Sequence, residues 1–184
     1  MSTPHNGSIP TNDATPPKSK EAHPITNMEK YENYKNQFQR LNRAMKNHFY
    51  LEAIFIEYAI IEDRTTSILA YEGNNRRKCD NMKLYEKLNK IKNCANYSTP
   101  LRPWIGRYFS DDNSNKLIDR IIAWKDYQRN RPTHRLMKIL VTTEELRNYA
   151  ENGKALCKEL SNRANNYKRM VERKTAKAQG EIQH

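Results

Sequence analysis

Glycine and phenylalanine are scarce in this chain, at 5 and 4 of 184 residues. With so little glycine and few runs of β-branched residues, a sheet-rich fold lacks both its turn residues and its strand formers. Apolar residues are thin as well, at 36% with a mean hydropathy of −1.05, so the core must be slender or shared with a partner. No run approaches the roughly 18 apolar residues of a membrane span, so no membrane is expected among the partners. The apolar segment of a secretory signal is missing from the first residues, which implies a cytoplasmic protein. Three cysteines, Cys79, Cys94 and Cys157, lie too far apart for a metal knuckle or a redox pair and read as small, reduced, buried side chains. Walker, dinucleotide-binding, serine-nucleophile and helical zinc-protease motifs are missing too. We therefore expect no metal and no cofactor, which leaves general acid–base chemistry or no chemistry at all.

Positive charge is what the chain has in excess. Lys and Arg number 33 against 21 Asp and Glu, a formal net charge of +12 and a pI near 9.6. Such an imbalance costs self-repulsion in the compact state and usually persists where a polyanion is near. Nucleic acid is the leading partner class, RNA or DNA being undecided by charge alone. The plain alternative is a Lys-rich solvated surface.

Residues 1–25 hold Pro4, Pro10, Pro16, Pro17 and Pro24 among Ser, Thr, Asn and His, with almost nothing bulky and apolar. Such a segment cannot bury enough surface to offset its ordering entropy, so a disordered tail is expected through residue 26. From there to residue 176 the apolar residues step by three and four, the mark of helices. Met28, Tyr31, Tyr34, Phe38, Leu41 and Met45 outline a first helix, interrupted at Asn47–His48. A second runs from Phe49 to about Glu72, apolar around much of its circumference and hence central, and Gly73 provides a left-handed stop. A third is expected after Asp80 or Asn81, carrying Leu84, Leu88 and Ile91. Residues 97–113 read as a connector, and a fourth helix carries Leu117, Ile118, Ile121, Ile122 and Trp124 and should end near Asn130 because of Pro132. The last helix opens on Thr142-Thr143-Glu144-Glu145, a capping-box spacing. Leu146, Tyr149, Gly153, Leu156, Leu160, Arg163, Tyr167 and Met170 then form a heptad seam, and residues 177–184 are expected to fray. The expected fold is all-α, an up-and-down bundle of four to five helices.

One short stretch could carry chemistry: Arg129-Asn130-Arg131-Pro132-Thr133-His134, at the end of a core helix. Imidazole titrates near neutral pH, so His134 could take a proton from a ribose 2′-hydroxyl or give one to a leaving 5′-oxygen. Arg129 could pair with the phosphate and stabilise charge that develops on it. One histidine does not easily serve as acid and base at once; two copies of the motif around one phosphate would. A second R-x4-H spacing, Arg43 to His48, has Ala after its Arg and joins the first two helices.

The stretch resembles the R-x4-6-H signature of the HEPN superfamily, in which a polar residue, often Asn, follows the Arg, as Asn130 does here. The helix order is similar as well: the motif follows an apolar central helix, Tyr50 to Leu69, and precedes the last long one. HEPN domains are dimerising helical bundles, many of them metal-independent ribonucleases of toxin–antitoxin and anti-phage systems. The resemblance implies that Arg129 and His134 are catalytic and Asn130 supporting. It also implies a homodimer acting on RNA, with an antitoxin or regulatory protein as a further partner.

Glu62 and Asp63, late in the central helix, are candidates to orient Arg129 or His134 as outer carboxylates, although an intrahelical or surface role is the simpler reading. Arg131 and Arg135 are candidate phosphate contacts. Arg102 and Arg107 alternate with Trp104, Tyr108 and Phe109, a pattern that suits stacking on unpaired bases, though in a connector such aromatics more often cover a core end. Two rivals to the nuclease remain: a non-catalytic nucleic-acid-binding module, and a protein-interaction module docking through its heptad helix.

Overall fold

A computed structural model of the chain describes residues 26–93, 104–110, 116–135, 138 and 140–181. Helix α1 (Asn27–Lys46) starts at a capping box: the Thr26 hydroxyl accepts the Glu29 N–H, and the Glu29 carboxylate accepts the Thr26 N–H at 2.7 Å. The chain turns at His48, whose φ of 61° is left-handed, and enters α2 (Tyr50–Tyr71). Gly73, at φ 84°, ends α2 in the conformation a side chain would resist. Two short helices follow, α3 (Arg76–Asn81) and α4 (Leu84–Lys92). The first was not anticipated from sequence, because six residues are too few to show a periodic apolar stripe. After them come α5 (Trp104–Phe109) and α6 (Leu117–Ala123). Helix α6 continues without a break into a π-helical segment, Trp124–Arg129, and then into α7 (Asn130–Arg135). Helix α8 (Thr143–Glu181) closes the chain.

Among the described residues every regular element is helical, and the fold is an all-α bundle. Helix α2 is its axis, packing against α1, α3, α4, the π-helical segment and, most extensively, α8. The apolar circumference of α2 becomes core: Ala53, Ile54, Ile60, Ile61, Ile68 and Leu69 are all buried. The heptad seam of α8 faces it, with Leu156, Leu160 and Tyr167 buried. Thr142 and Glu145 complete the expected capping box, with bonds of 2.8 and 3.1 Å. In the connector, Tyr108 and Phe109 pack at steep angles against Tyr167 with ring centroids 5.4 and 5.5 Å away, so these aromatics cover a core end. Cys79 and Cys157 are buried free thiols. No helix among the described residues is long and apolar enough to cross a membrane. The expected tail through residue 26 falls, but for Thr26 itself, outside the described residues, as do Cys94 and Arg102. Helical backbone extends to Glu181, past the residue 177 at which fraying was expected.

Candidate functional site

Pro132 was expected to stop a helix near Asn130, yet α7 runs through Arg135 with Pro132 buried inside it. The π-helical turn just upstream accounts for this. The Asn130 N–H bonds back five residues to the Lys125 carbonyl, so the backbone before the proline is wider than an α-helix. A proline ring ordinarily clashes with the carbonyl four residues earlier, and the widened turn relieves that crowding. Arg129 is the last residue of the π turn, and its motif is therefore helical rather than a loop.

Polar contacts tie this continuous helix to α8: Trp124 donates its indole N–H to the Tyr149 carbonyl at 2.9 Å, Asn152 reaches Gln128 at 3.3 Å, and Arg120 pairs with Glu159 at 2.6 Å. Within the motif, the half-buried Arg129 donates from Nη1 to Asn130 Oδ1 at 2.9 Å. Its guanidinium lies over the ring of Tyr58, 4.1 Å from the centroid, with Phe55 at 5.9 Å on the same α2 face. A planar cation resting over an aromatic face is held in position by it. The Thr133 hydroxyl caps the Arg129 carbonyl at 2.8 Å. Arg131 is exposed, near enough to Glu145 to help hold that carboxylate's pKa down, after the larger effect of Thr142. The side chains of His134, Arg135 and Arg107 lie outside the described residues.

Asn130 and Tyr58 line a cavity of about 400 Å³ together with Glu62, Lys83, Tyr85 and Lys125. Burial raises the Tyr58 pKa, Glu62 raises it further, and Arg129 opposes both, so the acid and the cation act on one phenol. Glu62 itself pairs with Lys87, an ammonium 1% exposed, at 3.3 Å. Asp63 sits elsewhere. It binds Tyr34 and pairs with Lys30 at 3.2 Å and Arg76 at 3.4 Å. Burial alone would raise its pKa, but the Tyr34 hydroxyl and Lys30 hold it below the usual carboxylate value. Successive residues on a helix point about 100° apart, so neighbours 62 and 63 serve different sides of α2. The rival Arg43–His48 spacing straddles the α1–α2 turn, where His48 Nδ1 meets the Tyr50 hydroxyl at 2.7 Å.

Sequence reasoning did not single out Tyr58 or Lys125 as neighbours of the motif. Tyr58 was legible only as one more apolar residue of α2, and its role depends on the π turn that aims Arg129 at it. No family model, curated protein or solved structure matches the chain.

Proposed function

We propose that this chain is a HEPN-type, metal-independent endoribonuclease that works as a homodimer, with Arg129 and His134 as its catalytic pair. The observation that carries the reading is the setting of Arg129: stacked on Tyr58, bonded to Asn130 and next to a polar cavity. A guanidinium fixed in this way costs little reorganisation when charge builds on a phosphate. Phe55 and Tyr85, each 52% exposed beside Arg129 and Lys125, add an apolar fringe that a second copy of the chain would cover. In the proposed reaction one His134 takes the 2′-hydroxyl proton, the 2′-oxygen attacks phosphorus, and the P–O5′ bond breaks. The partner's His134 gives its proton to the departing 5′-oxygen. The products are a 2′,3′-cyclic phosphate and a 5′-hydroxyl. The setting is a prokaryotic defence or toxin–antitoxin system, as the motif resemblance implies.

The test is cleavage of single-stranded RNA by the purified full chain, with and without EDTA. Arg129→Ala and His134→Ala should each lower the rate by about 10²-fold or more, EDTA should not, and a 2′-deoxy residue at the cut should block it. Retained cleavage in either variant removes the reading. Salt-sensitive RNA binding without cleavage, indifferent to His134, would favour the non-catalytic binding module instead, consistent with the net charge of +12.

A further inference from the structure

On another side of α2 lies a cavity of about 680 Å³, walled by α1, α2, α3 and α8. Its volume falls in the range of small-ligand sites, roughly 300–1,000 Å³. Among the described residues five cations line it: Lys30 and Lys35 from α1, Arg64 from α2, Arg76 from α3 and Lys168 from α8. No carboxylate is among the described residues that line it. Asp63 binds the lining Tyr34 and pairs with Lys30 and Arg76, Glu32 pairs with Lys35, and Glu172 acts on Lys168, so three acids partly balance the five cations and leave the cavity positive. Lys30, Arg64 and Lys168 are half-buried, whereas Lys35 and Arg76 are exposed at the rim. Lys30 is drawn in by the Ser67 hydroxyl at 2.6 Å, and the Arg64 guanidinium lies 3.5 Å from the centre of the Tyr34 ring. Burial lowers the Lys168 pKa, and the nearby charges of Lys30 and Arg64 lower it again, so these three are within electrostatic reach of one another.

Gathering like charges in a recess is unfavourable unless something of opposite sign enters. The cavity also holds polar groups with unmet bonding capacity. Arg64 Nε and Ser161 Oγ are buried and have no hydrogen-bond partner among the described residues. Ser161 is 8% exposed and lines the same space. Buried polar atoms are rarely left this way, and a ligand that accepts from both would satisfy them. Aromatic surface completes the set. Tyr31 at the mouth is 63% exposed, and the half-buried Phe38 lies two turns further along α1. A flat heterocycle can stack on such faces.

We infer that this cavity is a binding site for a nucleoside di- or triphosphate, its phosphates held by Lys30, Arg64 and Lys168 and its base against Tyr31 and Phe38. The cavity lies where four helices meet, and its volume suits a mononucleotide. It is independent of the nuclease reading, because Arg129 packs on the face of α2 that carries Phe55 and Tyr58.

Isothermal titration of the full chain with ATP, GTP, adenosine and tripolyphosphate tests the assignment. The nucleotides should bind saturably at one site per chain, tripolyphosphate more weakly and adenosine not measurably. Lys168→Met and Arg64→Gln should each weaken nucleotide binding by about tenfold or more. Lys46→Met, which removes the same charge from an exposed position at the far end of α1, should leave affinity unchanged. Circular dichroism on each variant establishes that the helices persist, and Lys35→Met at the cavity rim serves if Arg64→Gln does not fold. Absence of nucleotide binding overturns the inference, as does an equal loss with Lys46→Met. Displacement of the nucleotide by a single-stranded oligoribonucleotide that binds more tightly through Lys168 also overturns it, the cavity then being part of an RNA path.

Discussion

Glu57 is a buried acid whose titration bears directly on stability. It points from α2 into the α2–α8 interface, 0% exposed, and neither carboxylate oxygen has a hydrogen-bond partner among the described residues. Burial pushes its pKa from 4.5 to about 9, with only Lys154 pulling the other way. The folded protein therefore carries Glu57 protonated at neutral pH, whereas the unfolded chain has it ionised. Folding takes up a proton, and stability from this residue is greatest in acid and falls as pH rises from about 4.5 towards 9. Each pH unit in that window is worth about 1.4 kcal/mol, so the step from about pH 5 to pH 7 costs roughly 3 kcal/mol. Against a typical domain stability of about 5–15 kcal/mol that is a large share. Glu57→Gln keeps the shape and removes the titration, at the cost of an unsatisfied amide of about 1–3 kcal/mol that does not vary with pH. Urea melts of both proteins between about pH 5 and pH 8 isolate the effect. The stability difference, wild type minus variant, should fall by roughly 1.4 kcal/mol per pH unit. Parallel pH profiles would refute the reasoning, since they would mean that water or a cation reaches the carboxylate.

Gly153 in α8 faces the same carboxylate: a Cβ there would lie 2.1 Å from Glu57 Oε2 and 2.7 Å from Trp124 Cζ2. Gly153→Ala should therefore cost about 2–3 kcal/mol by thermal or urea melting, despite alanine's better helix propensity, and a neutral or stabilising result would contradict the packing. In Glu57→Ala/Gly153→Ala the two losses should add to less than their sum, because the space vacated takes the new methyl. Glu62→Gln should destabilise by about 2 kcal/mol, since it leaves the buried Lys87 ammonium without its charge partner, the figure allowing for the 37% exposure of Glu62. An unchanged urea midpoint would show that Lys87 does not depend on this acid.

The bundle was legible in the sequence because its long helices advertise themselves. The apolar circumference of α2, the heptads of α8, the Thr142 capping box and the glycine stop at Gly73 are local patterns that packing then obeyed. Local rules failed at Pro132, where a five-residue hydrogen bond widened the helix and kept it going. A π turn leaves no clear mark in residue type. The candidate site was legible only in part for the same reason. Spacing can pair Arg129 with Asn130, but Tyr58 as a stacking platform follows from helix geometry in three dimensions. Pairing Glu62 and Asp63 as like candidates erred towards adjacency in sequence: one partners Lys87 and the other Lys30 and Arg76. The basic cavity escaped notice altogether, because its cations come from four helices and no segment concentrates them.

Those two neighbouring acids make α2 a ruler. Tyr58, Glu62, Asp63 and Arg64 each meet their partners only from a fixed bearing on the helix. Adding or deleting a single residue between them would swing everything downstream by about 100° and move Arg64, Ser67 and Tyr71 out of the basic cavity they line. Descendants of this chain should therefore vary in spelling along α2 but never in length.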